Sequence, residues 1–320
     1  MVISNLKISK NTLDCDFISV PCQIVNGIRR IIIGETPQLV IGNVVITENN
    51  SRMPNEVLEH RLRQIPILVR PKSEGWEEIT ISLEAEAKGK TIEVTTADFV
   101  TSGKDVIDTD RDIKAPILFH RLSPGEKVKF TSKLVLDKKG SHSWNASFRN
   151  KPSEELYTEP LKEYLKDVSE EEQPIYKNVF MNNIAQTYSK PDEFEFHLES
   201  DGVVDPKTLM RESIEILRGD MLEWFAYSEK ETKVDPIDGT AFRITSDKVS
   251  HTVGSIIQAI MYRLGPKVVH FVAYDKPHPL KPELIVRFAT GSETEDPAIV
   301  LGMAKVKFME YVEKMLAELV

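Results

Sequence analysis

The chain has 320 residues, 41% hydrophobic and 28% charged, an ordinary globular composition with length for about two domains. Its formal charge of -9 at pH 7 argues against the whole chain gripping a phosphate backbone, because nucleic-acid binders carry a basic excess. The two cysteines, Cys15 and Cys22, cannot build a disulfide framework or a four-ligand zinc site without histidine, and read as reduced thiols of an intracellular protein.

Residues 1–20 lack the basic start and apolar run of a secretion signal, and no run reaches the ~18 apolar residues of a membrane span. Ile3 to Phe17 reads as a strand. Cys22 to Ile33 carries Ile24, Ile28, Ile31 and Ile32 at helical spacing, with Arg29 and Arg30 on a different face. Leu39 to Glu48 reads as a second strand, and Asn55 to Gln64 as a short helix ended by Pro66. From about Arg70 to Gln186 the apolar residues alternate: Ile79, Ile81 and Leu83, then Ile92 and Val94, then Val128 and Phe130. Gly, Pro and Asp punctuate them, which predicts a β-rich block. Its tail, Ser153 to Gln173, is dense in Glu and Lys, as in a solvated helix or loop.

Two later stretches share one order. Glu193–Ser200 leads to Asp205-Pro206, and Glu283–Thr290 leads to Asp296-Pro297. Asp at the N-cap accepts from a free helix amide, and Pro at the next position gives up a donor that had no partner. A Gly-bearing helical segment precedes each, Asn26-Gly-Ile-Arg-Arg30 and Val253-Gly-Ser-Ile-Ile257. The order predicts two copies of one αβ unit, paired with each other inside one chain. The second copy needs only about forty residues, a compact αβ unit, whereas the first needs about 180, so the excess reads as an inserted domain.

Both closing helices carry an apolar seam. Met210, Ile214, Leu217, Met221 and Trp224 step by four and three, and Leu301, Ala304, Phe308, Val312, Met315 and Leu319 follow similar spacing. With Ile28, these residues are expected to form the intramolecular packing. The polar stretch from Tyr227 to Thr240 is the expected linker.

Catalytic motifs are weak. Gly89-Lys90-Thr91 lacks the Gly that a phosphate-binding loop needs five residues earlier, where Glu84 stands, so a hairpin turn is expected. The seven histidines form no helical metal pair, and no Gly-x-Ser-x-Gly elbow occurs. Arg29 and Arg30 point either at a partner carboxylate or into solvent. Glu56, His60 and Arg61 lead into Ile65-Pro-Ile-Leu68, which is either a protein-contact edge or buried core.

Asn26-Gly-Ile-Arg-Arg-Ile31, Pro37, Asn55-Glu-Val-Leu-Glu-His-Arg-Leu62 and Ile65-Pro-Ile67 resemble the signature of the larger alpha-like subunit of cellular multi-subunit RNA polymerases. Ser250-His-Thr-Val-Gly254, Val272-Ala-Tyr274, His278-Pro-Leu280 and Ile285-Val-Arg287 resemble the smaller alpha-like subunit. The two look fused, as in large nucleocytoplasmic DNA viruses. Gly27-Ile28, Arg63, Ser250, Val253 and Ser255 depart from the usual motif residues.

The resemblance implies an α+β fold of two alpha-like dimerisation units forming an intramolecular pseudo-dimer, with a β-rich domain in the first. The expected division is 1–69 and 187–228 for the larger unit, 70–186 for the insert, 229–240 for the linker and 241–320 for the smaller unit. It also implies a non-catalytic platform that docks the two large catalytic subunits, plus an adjoining small subunit. Asn26, Arg29, Arg30, Glu56, His60, Arg61, Ile65 and Pro66 would face the second-largest subunit, and the second copy the largest. His251 and Gly254 would join the packing between halves. No catalytic residue, cofactor or metal is expected, since the insert lacks the cysteine cluster of many relatives. Little nucleic-acid contact and no membrane contact are expected, and the location would be the virion, host cytoplasm or host nucleus. The competing readings are a free-standing enzyme with an acidic metal site in the insert, and an adaptor working outside a polymerase.

Overall fold

The computed structural model describes residues 2–103, 106–107, 115–138, 144–236, 239, 241–247 and 250–319. In chain order they form β1 (Ile3–Ile8), β2 (Thr12–Ile18), α1 (Cys22–Gly34), β3 (Gln38–Asn49), α2 (Asn55–Arg63), β4 (Thr80–Glu86), β5 (Ile92–Thr95) and β6 (Val100–Thr101). There follow β7 (Leu118–Leu122), β8 (Lys127–Asp137), β9 (Asn145–Pro152), α3 (Glu154–Leu165), α4 (Gln173–Asn183), β10 (Ser189–Glu199) and α5 (Pro206–Glu231). The last elements are β11 (Lys233–Val234), β12 (Phe242–Asp247), α6 (His251–Tyr262), β13 (Val269–Asp275), β14 (Glu283–Thr290) and α7 (Pro297–Glu318). No helix among the described residues is long and apolar enough to cross a membrane.

The chain divides into two compact units. One holds Met1–Ile33, Asn145–Glu199 and Asp205–Val320; the other holds Gly34–Trp144 and Ser200–Val204.

The first unit contains two four-stranded antiparallel sheets, ordered β1-β2-β10-β9 and β11-β12-β14-β13. The two orders correspond position by position. The second strand of each leads into a Gly-bearing helix (α1, α6), and the third into a helix capped by Asp-Pro (α5, α7). Asp205 accepts from Thr208 N at 2.9 Å, and Asp296 from Ala298 N at 2.9 Å, so both caps act as local chemistry dictates.

Strand alternation aims Leu13, Cys15 and Phe17 of β2 and Phe194, Phe196 and Leu198 of β10 inward, and the Phe17 and Phe196 rings meet edge-on at 5.4 Å. Helix α5 packs on α7, β2, β10 and β12, and the Tyr227 hydroxyl donates to Thr245 O at 2.7 Å. Helix α7 reaches the other sheet: the Glu318 carboxylate accepts from Val2 N at 2.9 and 3.0 Å and also from Ile3 N. Each closing helix therefore touches the sheet of the other set.

The second unit has a four-stranded sheet, β3-β8-β4-β6, a two-stranded sheet, β5-β7, and α2. Phe99, Phe119 and Phe130 form an edge-to-face triad with centroids 5.3 to 6.0 Å apart, and Leu58 and Leu62 add the buried face of α2. The segment Ser200–Val204 belongs here because Arg70 Nε and Nη2 donate to Val203 O at 3.0 and 2.8 Å.

These units differ from the expected division. The β-rich body runs Gly34–Trp144 instead of 70–186, because β3 pairs with β8 along its length and α2 fills the same core. Strand β9 belongs to the first unit because it pairs with β10, and the α3–α4 hairpin follows it. The expected strand over Ile3–Phe17 is a hairpin, closed by Ser9 N donating to Thr12 O at 2.9 Å. The expected 229–240 linker is the end of α5 followed by β11, which pairs with β12; residues 237, 238 and 240 lie outside the described residues.

Candidate helix-packing and subunit-docking sites

Helix α1 forms because Ile24, Val25, Ile28, Ile31 and Ile32 recur at helical spacing, and all five are buried. Gly27 sits on that face. A Cβ built on Gly27 would stand 2.9 Å from Ile256 Cδ1, 3.1 Å from Thr252 Cγ2 and 3.7 Å from Leu217 Cδ1. So α1 meets α6 and α5 at a point where no side chain intervenes. Ile28, Ile214, Leu217, Met221, Phe308, Val312 and Met315 are fully buried, Leu301 nearly so, and α5 packs on α7.

Two residues expected in the packing between halves sit elsewhere. A Cβ on Gly254 would meet Tyr274 Cδ2 at 2.7 Å and Leu284 Cδ1 at 2.8 Å, so this glycine brings α6 onto β13 and β14. His251 is exposed in the first turn of α6, its ring edge-on to Tyr274 at 6.0 Å. The residues that do form the α1–α6 contact, Gly27, Thr252 and Ile256, were not singled out for it by motif. The available signal was a glycine inside an isoleucine-rich helix, which implies close approach when it is not a cap.

On the outward face of α1, Asn26 Oδ1 accepts from Arg29 Nε at 3.1 Å and Nη2 at 3.0 Å. That grip fixes the Arg29 fork, while Arg30 is exposed with no hydrogen bond or ion pair among the described residues. Glu56, His60 and Arg61 are exposed on α2 in the second unit, and Arg61 Nη2 donates to Leu118 O at 3.2 Å. The expected docking residues are thus shared between two compact units. Ile65 and Ile67 are 4% and 0% exposed, so the apolar contact expected of Ile65 is corrected to core, while Pro66 is half-buried. The Ile65 and Ile67 side chains complete the cluster around Leu58 and Leu62.

The solvent face of the first sheet forms a shallow groove of about 1010 Å³. Most of its charges are matched across strands: Lys151 Nζ and Asn5 Nδ2 each lie 2.6 Å from Asp16 Oδ2, Arg149 Nε 2.6 Å from Glu195, and His197 Nδ1 2.7 Å from Asp14. Among the described residues, no group of three or more His, Cys, Asp or Glu side chains is placed to hold a metal ion.

The profile of the RNA polymerase Rpb3/Rpb11 dimerisation domain matches residues 15–221. The chain belongs to this family. The match begins in β2 and ends inside α5, so the second sheet, α6 and α7 lie beyond it. The chain is 29% identical over 246 residues to DNA-directed RNA polymerase subunit Rpo3 of Pyrobaculum aerophilum, covering 67% of this chain and 92% of that protein. It is 48% identical over 66 residues to subunit Rpo3 of Methanocaldococcus jannaschii, covering 21% of this chain and 34% of that protein. It is also 34% identical over 80 residues to DNA-directed RNA polymerases I and III subunit RPAC1 of Mus musculus, 23% of each chain. These Rpb3/Rpb11-family relatives are alpha-like polymerase subunits, which agrees with the expected class of protein.

Proposed function

We propose that this chain is a non-catalytic assembly subunit of a DNA-directed RNA polymerase, in which a larger and a smaller alpha-like unit pair inside one polypeptide. The observation that carries this reading is the seating of α1 on α6 at Gly27, because a helix within the family match meets there a helix beyond it. The position-by-position correspondence of the two sheets supports treating the parts as copies.

On this reading Gly34–Trp144 is an insertion between α1 and β9, where the second copy has only a short connection from α6 to β13. The direct run of the chain from α5 into β11 holds the halves at an effective concentration on the order of millimolar. The paired copies differ in sequence, so their two faces can take different proteins, here the largest and second-largest subunits, with a small subunit alongside. Polymerisation belongs to the large subunits. The fused arrangement supports assignment to a large nucleocytoplasmic DNA virus, with the protein in the virion, host cytoplasm or host nucleus.

On this reading the docking contacts of the first unit are the Asn26-held Arg29 and the exposed Arg30, as charge-assisted and bidentate donors; Glu56, His60 and Arg61 are those of the second unit by itself. Losing a desolvated interface arginine costs about 2–4 kcal/mol. The test is co-expression of Arg29→Ala/Arg30→Ala with the large subunits. Reduced co-purification is expected; recovery equal to that of the unaltered chain removes this docking face.

A further inference from the structure

Between β9 and β10 the chain folds back as two short helices, α3 and α4, with Ser153 N donating to Tyr188 O at 2.9 Å across their base. Among the described residues α3 buries no side chain, and α4 buries only Phe180. Helices of about a dozen residues are marginal without packing, and Pro160 takes a further hydrogen bond from α3. Ring contacts hold the pair together: Tyr157 meets Phe180 at 6.5 Å, and Tyr164 meets Phe180 at 5.3 Å and Tyr176 at 6.2 Å. In that order of contacts the two helices run antiparallel.

Leu156, Glu163, Ile175 and Val179 each stand one position before a ring of that contact, Tyr157, Tyr164, Tyr176 and Phe180. In two antiparallel helices turned toward each other, positions one before the facing residues fall on the same side of the pair. That side is open: Leu156, Ile175 and Val179 are 46%, 64% and 43% exposed, and Tyr176 beside them is 41% exposed. Positions one after the rings, Thr158, Leu165 and Met181, are half-buried. An apolar patch this open, on helices this thinly packed, calls for a partner.

The charge of the hairpin defines that partner. Residues 154–183 carry eight acidic side chains against three lysines, more than half of the chain's net charge of -9. Lys162 pairs with Glu159 at 2.7 Å, and Lys190 of β10 pairs with Glu155 at 3.2 Å. Glu154, Glu163, Asp167, Glu170, Glu171 and Glu172 are left against Lys166 and Lys177, so the acidic surplus survives the pairing. Neither of those lysines falls on the open side. Lys177 stands one past Tyr176, and Lys166 stands nine past Tyr157, about 180° around α3 from the ring that faces α4. Glu163, Asp167 four residues on, and Glu172 three before Ile175 do follow the open side, and all three are exposed. Glu163 and Asp167 sit at the C-terminal end of α3, where the helix dipole disfavours a carboxylate, so local helix chemistry does not account for them. A second copy would set carboxylates against carboxylates here.

We infer that the open side of the α3–α4 hairpin docks a segment of a different polypeptide, one that carries aliphatic side chains and an excess of Lys and Arg. The polymerase reading enters only as the complex in which that segment is sought.

Photoreactive benzoylphenylalanine replaces Val179 in the full chain, co-expressed with the other polymerase subunits, and the crosslinked peptide is sequenced. The expected adduct lies on another polypeptide, in a basic segment with aliphatic side chains, and its yield falls at least tenfold when Glu163→Lys/Asp167→Lys is added. The neutral change Glu163→Gln/Asp167→Asn should lower the yield by less. Both positions are exposed, and an unchanged melting temperature of each altered chain shows that the fold is kept. No adduct, an adduct on a second copy, an adduct in an acidic or uncharged segment, or a yield unmoved by the charge reversal overturns the inference. A fitting peptide from a protein that is no polymerase subunit keeps the surface and removes the polymerase reading. Large-subunit binding that depends on Arg29 and Arg30, with no adduct at position 179, does the reverse.

Discussion

Ile256 Cδ1 stands 2.9 Å from the point where a Cβ on Gly27 would be placed, so at Gly27 a side chain of α6 lies directly against the backbone of α1. Alanine at this position asks the end of a flexible isoleucine to give way and the Thr252 methyl, at 3.1 Å, to shift slightly, while the helix gains up to ~1 kcal/mol of propensity, so Gly27→Ala is expected to be near neutral. Gly27→Leu has no such room and is expected to cost about 1–3 kcal/mol by overpacking. Adding Ile256→Ala should recover much of that loss, a coupling readable in a double-mutant cycle by urea denaturation. Independent, additive effects would mean that the two helices do not touch here.

Asp235 is 1% exposed and accepts from Arg287 Nε, a residue of β14 that lies directly opposite Arg243 of β12. Removing a charged partner from a buried carboxylate destabilises, so Arg287→Met is expected to cost about 1–3 kcal/mol, lessened by the partial exposure of Arg287 and by the further contact that Asp235 keeps. Converting both, Arg287→Met/Asp235→Leu, should cost less than the sum of the two single changes. Denaturant midpoints of the four proteins check this. A single variant as stable as the parent chain would show that the pair contributes little.

The parts of the fold legible in the sequence are those fixed by local chemistry. Asp205-Pro206 and Asp296-Pro297 announce their helices because a cap needs only a few neighbouring atoms, and the isoleucines of α1 announce its buried face. What stayed hidden depends on distant partners. Strand β3 pairs with β8, whose residues lie about ninety positions on, and alternation reports a strand without naming its neighbour. Ile65 and Ile67 read equally as interface or core until Leu58 and Leu62 were seen beside them. Arg29 and Arg30 were legible as a pair, but the grip of Asn26 on Arg29 was not. Gly254 and Gly27 occupy comparable places in their helices yet face different neighbours, and spacing alone does not tell which way a glycine faces.

Burial pushes the Cys15 thiol up to about 12, with Asp16 and then Asp14 adding repulsion against the thiolate. Cys22 is raised too, by burial alone, from a half-buried position. Since the thiolate is the nucleophile, Cys15 is expected to resist a thiol reagent at pH 8 in the native chain, while Cys22 reacts slowly. Unfolding in urea should release both. Counting thiols against time, with Cys22→Ser to separate the two, gives the answer. Rapid labelling of Cys15 in the folded Cys22→Ser chain would contradict its place inside β2.

His120 lies in β7 at 8% exposure, and its Nε2 has no hydrogen-bond partner among the described residues. Burial lowers its pKa below the ordinary 6.5; Glu126 pulls it upward and Arg61 adds to the lowering. The unfolded chain therefore takes up this proton at a higher pH than the folded one. Stability from this group is complete above pH 6.5 and declines as pH falls toward the lowered value, by at most about 1.4 kcal/mol per pH unit. His120→Phe, in a core that already holds Phe119 and Phe130, should remove that part of the pH dependence. The measurement is the difference in unfolding free energy between variant and parent at pH 7.5 and at pH 5.5. The parent is expected to lose more stability on acidification than the variant, and equal losses would place the His120 ring in water instead of in this core.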